Sequence, residues 1–193
     1  MYHFARFLFW LLGWKWESKI PSDLKKYVLV AVPHTSNWDF FYALIAFQVM
    51  RVPVRFTIKD SVMRFPFRQL MIALGAIPIN RKPQTSSETR PNMVYAMSDL
   101  FSDRDELVIL VTPEGTRKLR KQWKLGFYHI AVRAGVPIAL SHCNFKDKEI
   151  GINYVLYPTG DVEKDMREIM EYYRTLINLG KNPELSCLDE RYR

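Results

Sequence analysis

Blocks of apolar and polar positions follow one another along the chain, and each block predicts an element. Tyr27 to Val32 is an apolar, β-prone run, and Phe40 to Met50 is an apolar run without Gly or Pro that reads as a buried helix. Val52 to Ile58 (with Pro53 at its start), Ala76 to Ile79, Glu106 to Val111, Val136 to Leu140 and Glu149 to Leu156 read as further strands. Arg68 to Leu74 reads as a short helix closed by Gly75, and Leu125 to Ala134 as one closed by Gly135. Glu88 to Asp103 sets Met93, Val94, Met97, Leu100 and Phe101 at helical spacing, with Pro91 in the first turn. Beyond Pro158-Thr159-Gly160-Asp161, a last helix carries Val162, Met166, Ile169, Met170, Tyr173, Leu176 and Ile177 on one stripe. This alternation predicts an α/β fold with a mainly parallel central sheet flanked by helices.

The two ends read differently. Phe4, Phe7, Leu8, Leu11 and Leu12 recur at helical spacing among Phe9, Trp10, Trp14 and Trp16, and Arg6, Lys15, Lys19, Lys25 and Lys26 flank them. That composition predicts an N-terminal amphipathic, membrane-associating helix over residues 1–20, broken at Ile20-Pro21-Ser22-Asp23. Residues 21–180 read as one domain, and residues 181–193 as a loose polar tail. The longest uncharged stretches reach twelve residues, as in Gln69 to Asn80. A spanning helix needs roughly twenty, so none is expected. Nor does the start show the small-residue cleavage site of a secretory signal.

Composition adds charge to this picture. Hydrophobic residues make up 48% and charged residues 25%, as in a folded globular chain. The net charge of +8 favours phosphate-bearing partners: nucleic acid, anionic lipid or a phosphorylated small molecule. Cys143 and Cys187 make neither a disulfide framework nor a metal motif, so no metal is expected. His129 and His142 sit in apolar contexts and read as core or surface residues rather than ligands.

Candidate chemistry gathers where strands end. His34-Thr35-Ser36-Asn37-Trp38-Asp39 lies between a strand and a helix, at the sheet edge where α/β folds place ligands. His34 supplies an imidazole, the side-chain type suited to proton transfer near neutral pH, and Asp39 is placed to orient its ring, although Ser36 or Asn37 would equally serve as a plain helix cap. Thr112 to Arg117 follows another strand, and Arg81 closes a third. Adjacent strands would bring His34, Asp39, Arg81, Glu114, Gly115, Thr116 and Arg117 together. That set offers a base, an orienting carboxylate, N–H donors beside a glycine and two arginines for a phosphate. Lys118, Arg120, Lys121 and Lys124 form a basic run that suits donor phosphates, acidic carrier patches or lipid headgroups, or is a solvated face.

In these blocks the chain resembles the glycerolipid acyltransferases, the family typified by 1-acylglycerol-3-phosphate acylation. His34 to Asp39 resembles the family's His-x-x-x-x-Asp block. Lys59 through Ile77-Pro78-Ile79-Asn80-Arg81 resembles the second, Pro113-Glu114-Gly115-Thr116-Arg117 the third, and Val136-Pro137-Ile138 the fourth. Trp123-Lys124-Leu125-Gly126 is similar to the Lys-x-Gly segment before the fourth. Two positions depart from the pattern: Pro33 stands where many members have Asn, and Thr112 where Phe is usual.

The resemblance implies transfer of a fatty acyl group from acyl-CoA or acyl-carrier protein to the free hydroxyl of 1-acylglycerol 3-phosphate. The alternative acceptor is another lysolipid, including one without phosphate or an aminolipid. On this reading His34 is the base and Asp39 orients it. Glu114 and Gly115 shape the acceptor site with backbone N–H groups serving the oxyanion, and Arg81 and Arg117 clamp the phosphate. No cofactor is implied beyond the thioester co-substrate. The partners are the lysophospholipid, the thioester and a membrane surface, with the protein peripheral on the cytoplasmic face and no role for nucleic acid. Two rival readings differ in kind: a basic nucleic-acid or membrane-binding module, and a hydrolase with Ser36 as nucleophile.

Overall fold

The apolar run at Tyr27 becomes the middle strand of a sheet covered on both faces. The computed structural model describes residues 2–59, 67–79 and 93–193. Within them the chain runs α1 (Tyr2–Leu12), β1 (Lys15–Ser18), β2 (Lys26–Ala31), α2 (Asn37–Met50), β3 (Val54–Lys59), α3 (Phe67–Ala73) and β4 (Ala76–Ile79). It continues through α4 (Met93–Asp99), β5 (Leu107–Val111), α5 (Gly126–Ala134), β6 (Ile138–Asn144), β7 (Glu149–Leu156) and α6 (Val162–Tyr173). Two 3-10 turns, Ile177–Leu179 and Pro183–Leu185, follow. The seven strands lie in the order β1-β7-β6-β2-β5-β3-β4. All pairings are parallel except β6 with β7.

Side-chain alternation along β2 divides the core. Val28 and Val30 point to one layer, where they meet Met97 of α4, Phe127 and Tyr128 of α5, and Met166 and Ile169 of α6. Tyr27 and Leu29 point to the other, against Phe47 of α2. Beyond them Phe9 of α1 and Ala46 of α2 close over Cys143 and Ile150. Burial on both faces explains why β2 and β5 read as unbroken apolar runs rather than alternating ones.

The structure bears out the α/β class and corrects several details. The first helix stops at Leu12, not near residue 20, because Gly13 turns the chain in the left-handed region at φ +71°. Lys15–Ser18 then forms an exposed edge strand alongside Glu149 to Ile152. Strand β6 extends past Leu140 to Asn144 and stays buried throughout. It turns back antiparallel because residues 145–148 are too few for a parallel crossover. Helix α2 is only half-buried, with Trp38 50% and Phe41 42% exposed. Helix α4 begins at Met93; residues 88–92, with the first-turn Pro91, lie outside the described residues.

The largest difference is the C-terminal tail. It is packed, with Ser186 buried and Asp189 0% exposed. Among the described residues, no helix is long and apolar enough to cross a membrane.

Candidate active site

His34 sits in the turn from β2 into α2. The Val32–Pro33 peptide before it is cis. Ser36 is the N-cap of α2: its Oγ accepts from Trp38 N at 2.9 Å, and Asp39 completes a capping box. The Asp39 Oδ2 accepts from Thr35 N at 2.6 Å and from Ser36 N at 2.7 Å. The same oxygen lies 3.5 Å from His34 Nδ1. The capping role and the orienting role therefore fall on one atom. Asp39 is buried and His34 half-buried, so the ring stands between a fixed carboxylate and the opening above it. The Ser36 hydroxyl is engaged at the cap, which counts against its use as a nucleophile.

The second loop reaches the same edge because β2 and β5 are neighbours in register, Val30 opposite Val111. Glu114 is 3% exposed and turns inward. Its Oε2 accepts from His34 N at 2.6 Å, and its Oε1 accepts from the Ser186 hydroxyl. Burial pushes its carboxyl above the ordinary carboxylate value, against the hydrogen bonds from Ser186 and His34. Glu114 is thus a brace between the two loops and the segment that carries Ser186. Gly115 adopts φ +65° and its N–H donates to Thr112 O at 3.0 Å, so the turn itself uses the donor expected at the oxyanion. A side chain at Gly115 would also collide with Lys124, whose Nζ lies 2.9 Å from the position of a Cβ. Thr116 Oγ1 accepts from Lys118 N. Arg117 is exposed and makes no ion pair among the described residues.

Between the loops a cavity of about 390 Å³ opens. His34, Pro113, Gly115 and Lys124 line its polar end; Phe40, Phe56, Met97 and Phe127 are among its apolar walls. Met93 and Met97, set at helical spacing on α4, also line this space. Asp39, Glu114, Thr116 and Arg117 stand outside its lining. Arg81 lies outside the described residues. Of the basic run, Lys124 joins the cavity, while Lys118 and Arg120 are exposed and Lys121 pairs with Glu190 at 3.2 Å. His129 is exposed. His142 is buried between the Tyr172 hydroxyl at 3.2 Å and Glu149 at 3.5 Å; burial lowers its pKa, opposed by Glu149.

Sequence reasoning missed Thr35, Asn182, Ser186 and Asp189. Thr35 Oγ1 accepts from Asn182 N at 3.2 Å, and Thr35 O from Asn182 Nδ2 at 3.1 Å. Nothing in a polar, unpatterned tail marks these residues. The one available signal was Trp123, a large aromatic in a basic run that needed a cover.

A sequence model of the family described as Acyltransferase matches residues 15–139, which hold both loops. The chain belongs to the acyltransferase family. Among relatives of this acyltransferase-family chain, the 1-acyl-sn-glycerol-3-phosphate acyltransferase of Haemophilus influenzae is 30% identical over 154 residues, covering 76% of this chain and 60% of that protein. The Escherichia coli protein of the same name is 28% identical over 149 residues, covering 74% and 58%. The chain thus spans a little over half the length of the curated relatives it matches. The crystal structure of the 1-acyl-sn-glycerophosphate acyltransferase from Thermotoga maritima aligns with a TM-score of 0.59 at 16% identity, over 88% of this chain and 73% of that one. That likeness shows a shared fold.

Proposed function

We propose that the chain moves a fatty acyl group from an acyl thioester, acyl-CoA or acyl-carrier protein, to the free hydroxyl of 1-acylglycerol 3-phosphate, giving phosphatidate for phospholipid synthesis. The observation that carries this reading is His34, backed by Asp39 at 3.5 Å and opening onto an apolar cavity of about 390 Å³. His34 Nε2 takes the proton from the acceptor hydroxyl as its oxygen attacks the thioester carbonyl. Asp39 holds the ring by Nδ1 and stabilises the imidazolium. The tetrahedral intermediate collapses with cleavage of the carbon–sulfur bond, and the imidazolium returns the proton to the leaving thiolate. No enzyme nucleophile is required, because the acceptor supplies it.

The apolar walls suit an acyl chain, and Lys124 sets a cation beside the reacting carbonyl. Arg117, exposed at the loop end, and Arg81 are the residues assigned to the acceptor phosphate. One observation favours the alternative acceptor, a lysolipid without phosphate or an aminolipid: among the described residues, Lys124 is the one cation of the cavity lining.

The same reading places the protein peripherally on the cytoplasmic face of a membrane. Phe4, Phe7, Trp10 (73% exposed) and Leu11 are exposed on α1, and Trp38 and Phe41 are exposed in the first turns of α2, the helix that follows His34. Lys181 Nζ lies 4.9 Å over the Trp38 ring, and the overall +8 charge suits an anionic leaflet.

Thioester consumption with detergent-dispersed 1-acylglycerol 3-phosphate tests the reaction. Turnover that requires the acceptor and falls about a thousandfold in His34→Ala is the expected result. Consumption without acceptor would make the chain a thioesterase instead.

A further inference from the structure

The segment from Gly180 to Asp189 lies beyond the part of the chain that the family model matches, yet it touches both active-site loops. It reaches the first loop at Thr35, the residue after His34, through Asn182 N and Asn182 Nδ2. Gly180 makes this approach possible: a Cβ there would sit 2.8 Å from Pro33 Cγ and 3.2 Å from Thr35 Oγ1. It reaches the second loop through the Ser186 hydroxyl, which donates to Glu114 Oε1 while Glu114 Oε2 accepts from His34 N. The backbone of His34 is therefore gripped from two sides by one strap.

The strap is itself anchored. Asp189 accepts from Trp123 N at 2.9 Å and pairs with Arg191, whose Nη2 also donates to Trp123 O at 2.7 Å. The Trp123 indole N–H donates to Cys187 O at 3.0 Å, and Glu190 N to Lys121 O. Burial alone would raise the Asp189 carboxyl, but hydrogen bonds from Arg191 and Trp123 hold it below the ordinary carboxylate value. Trp123 in turn precedes Lys124, whose N–H donates to Pro113 O at 2.8 Å. Anchor, strap and both loops form one hydrogen-bonded circuit.

We propose that Asn182 and Ser186 are positioning residues of the active site, acting through Thr35 and Glu114 to set the place of the His34 ring. This rests on the acyl-transfer reading for its kinetic consequence, though not for its geometric one. Neither residue lines the cavity, so losing either leaves substrate binding intact and misplaces the base. A misplacement of this kind costs rate rather than affinity.

The experiment compares wild type, Asn182→Ala, Ser186→Ala, the double variant and Ser186→Thr, which keeps the hydroxyl. All are checked for cooperative thermal unfolding, and the single variants carry the test if the double fails to fold. Thioester turnover with 1-acylglycerol 3-phosphate is expected to show kcat about tenfold lower in each alanine variant, with KM within about twofold, and recovery in Ser186→Thr. In parallel, 15N-histidine spectra follow the His34 ring, assigned among the four histidines by its loss in His34→Ala. Its titration midpoint or tautomer ratio should change in the alanine variants and not in Ser186→Thr. A His34 midpoint and tautomer ratio both unchanged in the alanine variants overturn the proposal. Absence of wild-type turnover would overturn the acyl-transfer reading alone, and the spectra would then decide the strap's role.

Discussion

The two loops that meet at the sheet edge are built in opposite ways. In the loop after β2 the polar groups are turned onto the loop itself. Ser36 caps α2, and Asp39 accepts from two backbone N–H groups while standing behind His34. The loop after β5 is divided within four residues: Glu114 is buried and braced, while Arg117 is exposed and makes no ion pair among the described residues. One motif thus holds a residue that builds the site and a residue free to meet a ligand. Chemical type alone does not separate them, since both are ionisable side chains. Their depth and their partners do.

The contrast is sharpened most by Asp39→Asn. The account expects kcat to fall about a hundredfold or more, because the ring loses the carboxylate that stabilises its charged form. Steady-state kinetics read this, and an unchanged kcat would reduce Asp39 to a cap. Glu114→Ala is expected to lower kcat about tenfold through the freed His34 backbone. Chemical denaturation should also show it destabilised by about 1–3 kcal/mol, for the buried N–H left without its partner. Arg117→Ala, at the exposed end of the same loop, should raise KM for a phosphorylated acceptor about fivefold and leave kcat alone, given the modest worth of exposed charge pairs. Its unfolding midpoint should match wild type.

The smallest expected effect is a pH slope. The folded chain holds the Glu114 proton more tightly than the unfolded chain does, because its carboxyl is raised from 4.5 by burial. That contribution to stability is full below the unfolded value and is lost as pH rises through the folded value. Glu114→Gln removes the titration. Its stability relative to wild type should therefore climb as pH rises above 4.5, read as the difference between two unfolding midpoints. An equal or opposite slope would mean that the carboxylate is held charged.

The same division explains what the sequence made legible. Val28 to Val30 and Leu107 to Ile109 are buried from both sides, so their apolar runs announce strands directly. The capping spacing from Ser36 to Asp39 and the glycine turn at Gly115 are local, and local chemistry shows in local sequence. Strand β1 was hidden because Lys15 to Ser18 are all exposed and borrow their pairing from β7, far along the chain. The antiparallel turn at 145–148 follows from the shortness of its connection rather than from any residue pattern. The strap was hidden for a different reason: polar residues in a tail look solvated, and only the fold reveals that Asp189 is spent on Trp123 and Ser186 on Glu114. Lys124 appeared in the basic run, but its place over Gly115 depends on the turn geometry.

The central claim is that the two loops converge on one acceptor, with His34 at its hydroxyl. An experimental structure with a non-transferable 1-acylglycerol 3-phosphate analogue bound tests this most directly. The account predicts the hydroxyl oxygen, or its replacement, about 3 Å from His34 Nε2, with the phosphate against Arg117 and the acyl chain between Met97 and Phe127. A bound analogue whose hydroxyl lies beyond the reach of His34, with its phosphate away from both loops, would contradict it.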